Sequence, residues 1–175
     1  MKISKSFKIY IHILLAFFIM QNAYSGTTLS DNIVVHKVPK ALSEIKFKDF
    51  NLQDVDLTNK KGNIMILNFW ATWCAPCKKE MPSLEKLQQN YPDIKIYPIN
   101  TEKPNKLRTR DFYNSIGVVS LDIYFDPEFK LVKMLKMRGL PTSILINKNG
   151  KEFARVVGEI DYSDKEFIKF LKKYN

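Results

Sequence analysis

Asn68-Phe69-Trp70-Ala71-Thr72-Trp73-Cys74-Ala75-Pro76-Cys77-Lys78-Lys79 is the stretch on which the reading of this chain turns. It holds both cysteines of the 175-residue sequence, two residues apart, where an apolar run gives way to a helical pattern. Ile64, Met65, Ile66, Leu67, Phe69 and Trp70 show no polar alternation, which predicts a buried strand. From Lys78 to Gln89, the apolar residues Met81, Leu84 and Leu87 recur at helical spacing. The cysteine pair therefore falls at a helix N-terminus, where backbone N–H groups and the macrodipole both favour an anion. A thiolate is such an anion, and it is the species that attacks disulfides. The local pattern points to thiol–disulfide exchange.

The first 25 residues bear on the compartment. Lys2, Lys5 and Lys8 precede an apolar run from Ile9 to Met20, which is too short for a comfortable membrane span. Ala23 and Ser25 then stand at the −3 and −1 positions of a small-residue cleavage site before Gly26. Residues 1–25 read as a secretory signal peptide, with an uncleaved anchor as the alternative. Either way the folded part is expected in a periplasmic or other extracytoplasmic space. About 150 residues remain, one domain's worth. Two cysteines make no disulfide framework, so stability must come from packing. The formal charge of +10 falls to +7 once the three lysines of the leader are removed. The basic residues are scattered, without the aromatic interleaving of a nucleic-acid platform. They read as a solvated surface, and no nucleic-acid partner is expected.

Residues 26–43 are mixed and polar, with Pro39, and read as a tether or irregular arm; residues 44–175 read as the folded domain. Lys46 to Phe50 and Val55 to Leu57 form a candidate N-terminal hairpin. Ile94, Ile96 and Ile99 mark a second central strand, and Lys106 to Ser115 a helix closed by Gly117. Leu121 to Phe125 is extended, and Asp126-Pro127 opens another helix. Ser143–Ile146 and Phe153–Val157 flank Asn147-Lys148-Asn149-Gly150, a hairpin-turn signal. Ser163 to Tyr174 forms a terminal amphipathic helix, with Phe167, Ile168 and Leu171 inward. The sum is an α/β fold with a mixed central sheet flanked by helices.

Trp73-Cys74-Ala75-Pro76-Cys77-Lys78 after a strand, with Gly139-Leu140-Pro141-Thr142 before a later one, resembles the thioredoxin superfamily. The lead-in from Phe69 to Cys74 and the following Lys79-Glu80-Met81-Pro82 resemble its TlpA/ResA-type secreted branch. The resemblance covers roughly residue 44 to the C-terminus and is specific, because the flanking sequence and the distant proline both match. It implies a thioredoxin-like fold and an extracytoplasmic thiol–disulfide oxidoreductase. On that reading Cys74 is the attacking thiolate and Cys77 resolves the mixed disulfide, the two forming a redox-active disulfide. Pro76 removes one donor from the amides around the thiolate. Pro141 matches the family's cis-proline, for which an X–Pro bond is the cheap place. Leu140 then helps select partners, and Trp73 covers the cysteines as an apolar wall, while Trp70 belongs to the core.

Asn68 stands where cytoplasmic thioredoxins carry a buried aspartate, so that role is vacant or moved. Glu102, just past the second central strand, matches a glutamate that the TlpA/ResA branch places beside the site. A partly buried carboxyl there could hold its proton and serve Cys77 as acid or base; an exposed loop glutamate is the other reading. No cofactor is implied. Beyond the leader the only histidine is His36, too few soft ligands for a closed zinc site, so no metal is expected. A disulfide-donating oxidase and a redox-inert or metal-handling module of the same fold are the alternatives. The resemblance favours a reductase of exported cysteine-containing proteins, of the cytochrome c maturation or oxidase-assembly type, recharged by a membrane electron donor. The sequence leaves the oligomeric state open.

Overall fold

The computed structural model describes residues 31–174; the expected signal peptide lies outside them. One mixed sheet of eight strands runs through the described residues, in the order β1-β8-β7-β4-β5-β6-β2-β3. Its centre is β4 (Met65–Trp70), parallel to β5 (Lys95–Asn100) and antiparallel to β7 (Thr142–Ile146). Every residue of β4 is buried, as its unbroken apolar pattern predicts. Alternation along β4 feeds two cores. Ile66 and Trp70 pack in a core with residues of the helices α1 (Ala75–Asn90) and α4 (Lys165–Lys172). Met65, Leu67 and Phe69 join a second core that includes Leu131 of the short helix α3 (Lys130–Met134). Removing a fully buried side chain such as Leu67 would cost about 2–5 kcal/mol. Asn68 shares the face of Ile66 and Trp70, so a polar amide enters the α1 side of the core.

β8 (Lys151–Val157) pairs with β7 through the Asn147–Gly150 turn, as the sequence predicts. β6 (Tyr124–Phe125) extends the sheet beyond β5. The expected N-terminal hairpin is present as β2 (Lys46–Lys48) and β3 (Asp54–Asp56). It joins the main sheet through β6, where Lys48 faces Phe125.

Two expectations change. Ile33–Ala41, read as part of a tether or irregular arm, is the edge strand β1, antiparallel to β8. Its register shifts between Val35 and Lys40. Here His36 Nε2 lies 2.6 Å from Oε1 of buried Glu152, which also accepts from Arg155 Nε at 2.5 Å. Burial alone would raise the Glu152 carboxyl, but these bonds outweigh it and hold it below its ordinary value. Asp126-Pro127 does not open a helix. It forms a turn, and Phe129, left-handed at φ 54°, leads into α3 at Lys130. Asp126 still caps α3 from a distance, its carboxylate accepting from Val132 N at 3.1 Å. The remaining helix, α2 (Lys106–Ser115), follows the sequence reading, with Asn105 Oδ1 capping Arg108 N. None of the helices among the described residues is long and apolar enough to cross a membrane.

Candidate active site

The chain leaves β4 at Trp70, turns through Ala71–Trp73 and starts α1. Cys74 is the N-cap residue: its sulfur accepts from Cys77 N at 3.3 Å, and Pro76 occupies the first turn. Pro lacks an N–H, so this position loses no helical bond. Cys74 and Cys77 are joined in a disulfide with Cα atoms 5.3 Å apart. Cys74 is 5% exposed and Cys77 fully buried, so the first sulfur is the more accessible. Trp73 stands 69% exposed at the rim rather than folded over the pair.

The neighbouring strands complete the site. Thr142 lies opposite Phe69 in the β4–β7 register, which brings Pro141 to the end of β4 where the cysteine turn begins. The Leu140–Pro141 bond is cis. Leu140 is half-buried and packs against both cores. Pro141 O accepts from Gly158 N at 2.9 Å, and Val157 N in turn donates to Asn32 O at 2.8 Å. Asn32 Nδ2 donates to Glu159 O at 2.9 Å. Residues 32, 141 and 157–159 are thus tied together at one end of the sheet. Lys79 of α1 adds an ion pair with Glu159.

Glu102 is placed beside the cysteine turn, but not as a proton carrier. Its carboxylate accepts from Thr72 N at 2.5 Å, Thr72 Oγ1 at 3.1 Å and Asn100 Nδ2 at 3.2 Å. Arg108 Nη2 lies 3.5 Å away. Partial burial would raise this carboxyl, but the donors outweigh it and keep it below the usual carboxylate range. Glu102 therefore stays ionised at neutral pH and pins the turn ahead of Cys74. The expectation that it holds its proton fails because its site supplies too many donors.

The carboxyl that does hold a proton is Glu80, which no sequence motif singles out as a site residue. It lies three residues beyond Cys77 on the buried stripe of α1, 2% exposed. Positions three apart share a helix face. Its single side-chain hydrogen bond comes from Asn68 Nδ2 to Oε1, at 2.7 Å. Burial dominates, with the Glu159 charge adding to it, and pushes the carboxyl up to about 8 despite the Asn68 amide and the Ile160 N–H. A buried titratable carboxyl thus stands across the strand–helix contact from Asn68, on α1 rather than on β4. A helix stripe of Cys77, Glu80, Met81 and Leu84 carries a signal: a charged residue on the apolar face. Asn68 Nδ2 also donates to Ser143 Oγ of β7 at 3.0 Å, and Tyr162 Oη donates to the same oxygen at 2.7 Å.

The arrangement offers a slightly exposed sulfur at a helix N-terminus, a fully buried partner sulfur and a buried carboxyl that holds its proton up to about pH 8. Among the described residues there is no cluster of side chains fit to hold a metal ion. The profile of the AhpC/TSA family matches residues 38–151. The thiol-disulfide oxidoreductase ResA of Geobacillus thermodenitrificans is 31% identical over 155 residues, covering 84% of this chain and 87% of that protein. ResA of Bacillus thuringiensis is 32% identical over 113 residues, and there the match spans 63% of this chain and 64% of its relative. The crystal structure of a DsbF homologue from Corynebacterium diphtheriae has the same fold, with a TM-score of 0.68 at 23% identity over 85% of this chain and 97% of that one. With the CxxC pair seated between β4 and α1 of a mixed sheet, the chain belongs to the thioredoxin-like AhpC/TSA family, among the ResA-type thiol–disulfide oxidoreductases.

Proposed function

We propose that this protein is an extracytoplasmic thiol–disulfide oxidoreductase that reduces disulfides in exported client proteins. The observation that carries the reading is the buried Glu80 carboxyl on the helix of Cys74 and Cys77, with a proton affinity close to that of a thiol. In the reduced protein the Cys74 thiolate attacks a client disulfide; one client sulfur leaves as a thiolate and the other stays bound to Cys74. The Cys77 thiol gives its proton to the Glu80 carboxylate and attacks the Cys74 sulfur. The bond from Cys74 to the client breaks, the second client thiolate leaves and takes up a proton, and the Cys74–Cys77 disulfide forms. One electron pair has passed to the client. A dithiol donor in the membrane returns it.

Trp73, Pro76, Leu140 and the cis-Pro141 line the approach and are assigned to client binding, with Glu102 steadying the turn behind them. The leader-like residues 1–25 support the location. The short passage from β5 to β6, filled by α2 alone among helices, and the absence of a histidine between the cysteines favour a reductase. Clients of the cytochrome c maturation or oxidase-assembly kind fit this chemistry.

The test is the reduction potential of the Cys74–Cys77 pair in glutathione or dithiothreitol buffers. A value of about −250 mV or below is expected, and one near about −120 mV would recast the protein as a disulfide donor.

A further inference from the structure

Behind the cysteines runs a chain of polar side chains that thiol–disulfide exchange does not by itself require. Asn68, Ser143 and Tyr162 are fully buried, and Glu80 is nearly so. Asn68 and Ser143 face each other across β4 and β7, and Tyr162 reaches the same point from the segment between β8 and α4. Buried polar groups at this depth are costly unless their partners are fixed. We propose that Tyr162 is a positioning residue: through Ser143 it holds the Asn68 amide with Nδ2 toward Glu80, and so sets the pH at which Glu80 takes the proton of Cys77. This rests on the assignment of Glu80 as the proton acceptor.

Donors and lone pairs decide which end of the amide faces Ser143. A serine oxygen has one proton and two lone pairs. Here both lone pairs are engaged, one by Tyr162 Oη and one by Asn68 Nδ2, so Ser143 acts toward Asn68 as an acceptor. Nδ2 must then be the end of the amide that faces it, and the same nitrogen donates to Glu80. A donor aimed at a carboxyl favours its ionised form. Without the Tyr162 hydroxyl, Ser143 is free to turn its own proton toward Asn68, and the amide can reverse. Oδ1, which has no partner in the native arrangement, would then face Glu80. Only a protonated carboxyl can hydrogen-bond to that oxygen. The effect of Tyr162 is to keep Glu80 a usable base.

Other charges around Glu80 stay constant in the test. Glu159 and Asp161 from the segment after β8, Asp31 ahead of β1, Asp164 at the start of α4, and Lys79 and Lys86 of α1 line the same cleft. The hydroxyl that the substitution removes donates to Ser143 Oγ, and the substitution leaves each of these charged side chains in the sequence. A shift on its removal therefore reports the hydroxyl.

The experiment is single-turnover release of client thiol from a mixed disulfide on Cys74, followed from pH 6 to 10 in the whole protein. In Tyr162→Phe the inflection due to Glu80 moves to higher pH, release at pH 7 slows about tenfold, and the rate returns to the native value at alkaline pH. Ser143→Ala, which breaks the chain at its middle, shows the same direction and carries the test if Tyr162→Phe does not fold. Profiles that superimpose on the native one, or that fall equally at every pH, overturn the proposal. Glu80→Gln separates the two levels. If it abolishes the inflection while Tyr162→Phe leaves it unmoved, only the role of Tyr162 fails. If it retains the inflection, the assignment of Glu80 fails, and the proposal with it.

Discussion

Glu80 and Glu102 flank the same pair of cysteines and have opposite fates. Glu102 sits in a loop ringed by donors: the Thr72 N–H and hydroxyl, the Asn100 amide and the Arg108 guanidinium. Glu80 sits on a helix face pressed against β4, with one side-chain donor. The first is held ionised, the second held protonated up to about pH 8. Proximity to a thiol does not decide which carboxyl can serve it. The number of donors that accompany the carboxyl into the fold decides, because each one favours the charge that burial opposes.

The sharpest way to break this contrast is Glu80→Gln. Folded Glu80 keeps a proton that the unfolded chain releases above about pH 4.3, so the folded state binds more protons between there and about 8. Stability from this group is full at low pH and is lost as the pH rises through about 8. Urea unfolding at pH 6 and pH 9 is expected to show that loss in the native protein and not in Glu80→Gln. The loss accumulates only from pH 6 to about 8, so the difference is at most about 3 kcal/mol.

Glu102→Gln tests the other side. Its folded carboxyl is depressed, so its contribution is present at neutral pH and fades as the pH falls through and below the usual carboxylate range. Replacing an ionised acceptor that serves Thr72 by an amide is expected to cost about 1–2 kcal/mol at pH 7. It should leave the inflection near pH 8 in place, which thermal unfolding and the release profile together would check. A Glu102→Gln protein that lost this inflection would return the proton-carrying role to Glu102.

The smallest effect is expected from Arg108→Ala. The guanidinium is 58% exposed and 3.5 Å from Glu102, a surface pair worth about half a kcal/mol or less. A larger loss in denaturant unfolding would mean that Arg108, rather than the Thr72 N–H, holds Glu102 in place.

The sequence shows β4, α1 and the β7–β8 hairpin plainly, because each rests on local pattern: a buried apolar run, a helical repeat, a turn signal. It does not show β1. Val34, Val35 and Val38 remain 46–74% exposed in the folded chain, and the strand exists through its pairing with β8 and the contact of His36 with Glu152. Within the site, Cys74 and Cys77 are legible from their spacing, Pro141 from the family resemblance, and Glu102, through that same resemblance, as a neighbour but not in its protonation. Glu80 is hidden by the ordinary expectation that a helical glutamate faces water. Its meaning depends on Asn68 from another element, and theirs on Ser143, 75 residues away in sequence. Networks of that kind are three-dimensional facts with no local periodicity.

The tie between Asn32, Gly158 and Pro141 has a practical consequence for anyone building on this protein. The polypeptide enters its sheet at the same end where a client must land. The chain leaves α4 beyond Tyr174, whose ring stacks on Phe153 with centroids 4.0 Å apart, near the opposite end of β8. A fluorescent label or fusion partner joined just ahead of Asp31 would crowd the docking rim. The same cargo attached past Tyr174 would leave it open, so the C-terminal side is the handle by which to hold this molecule while it works.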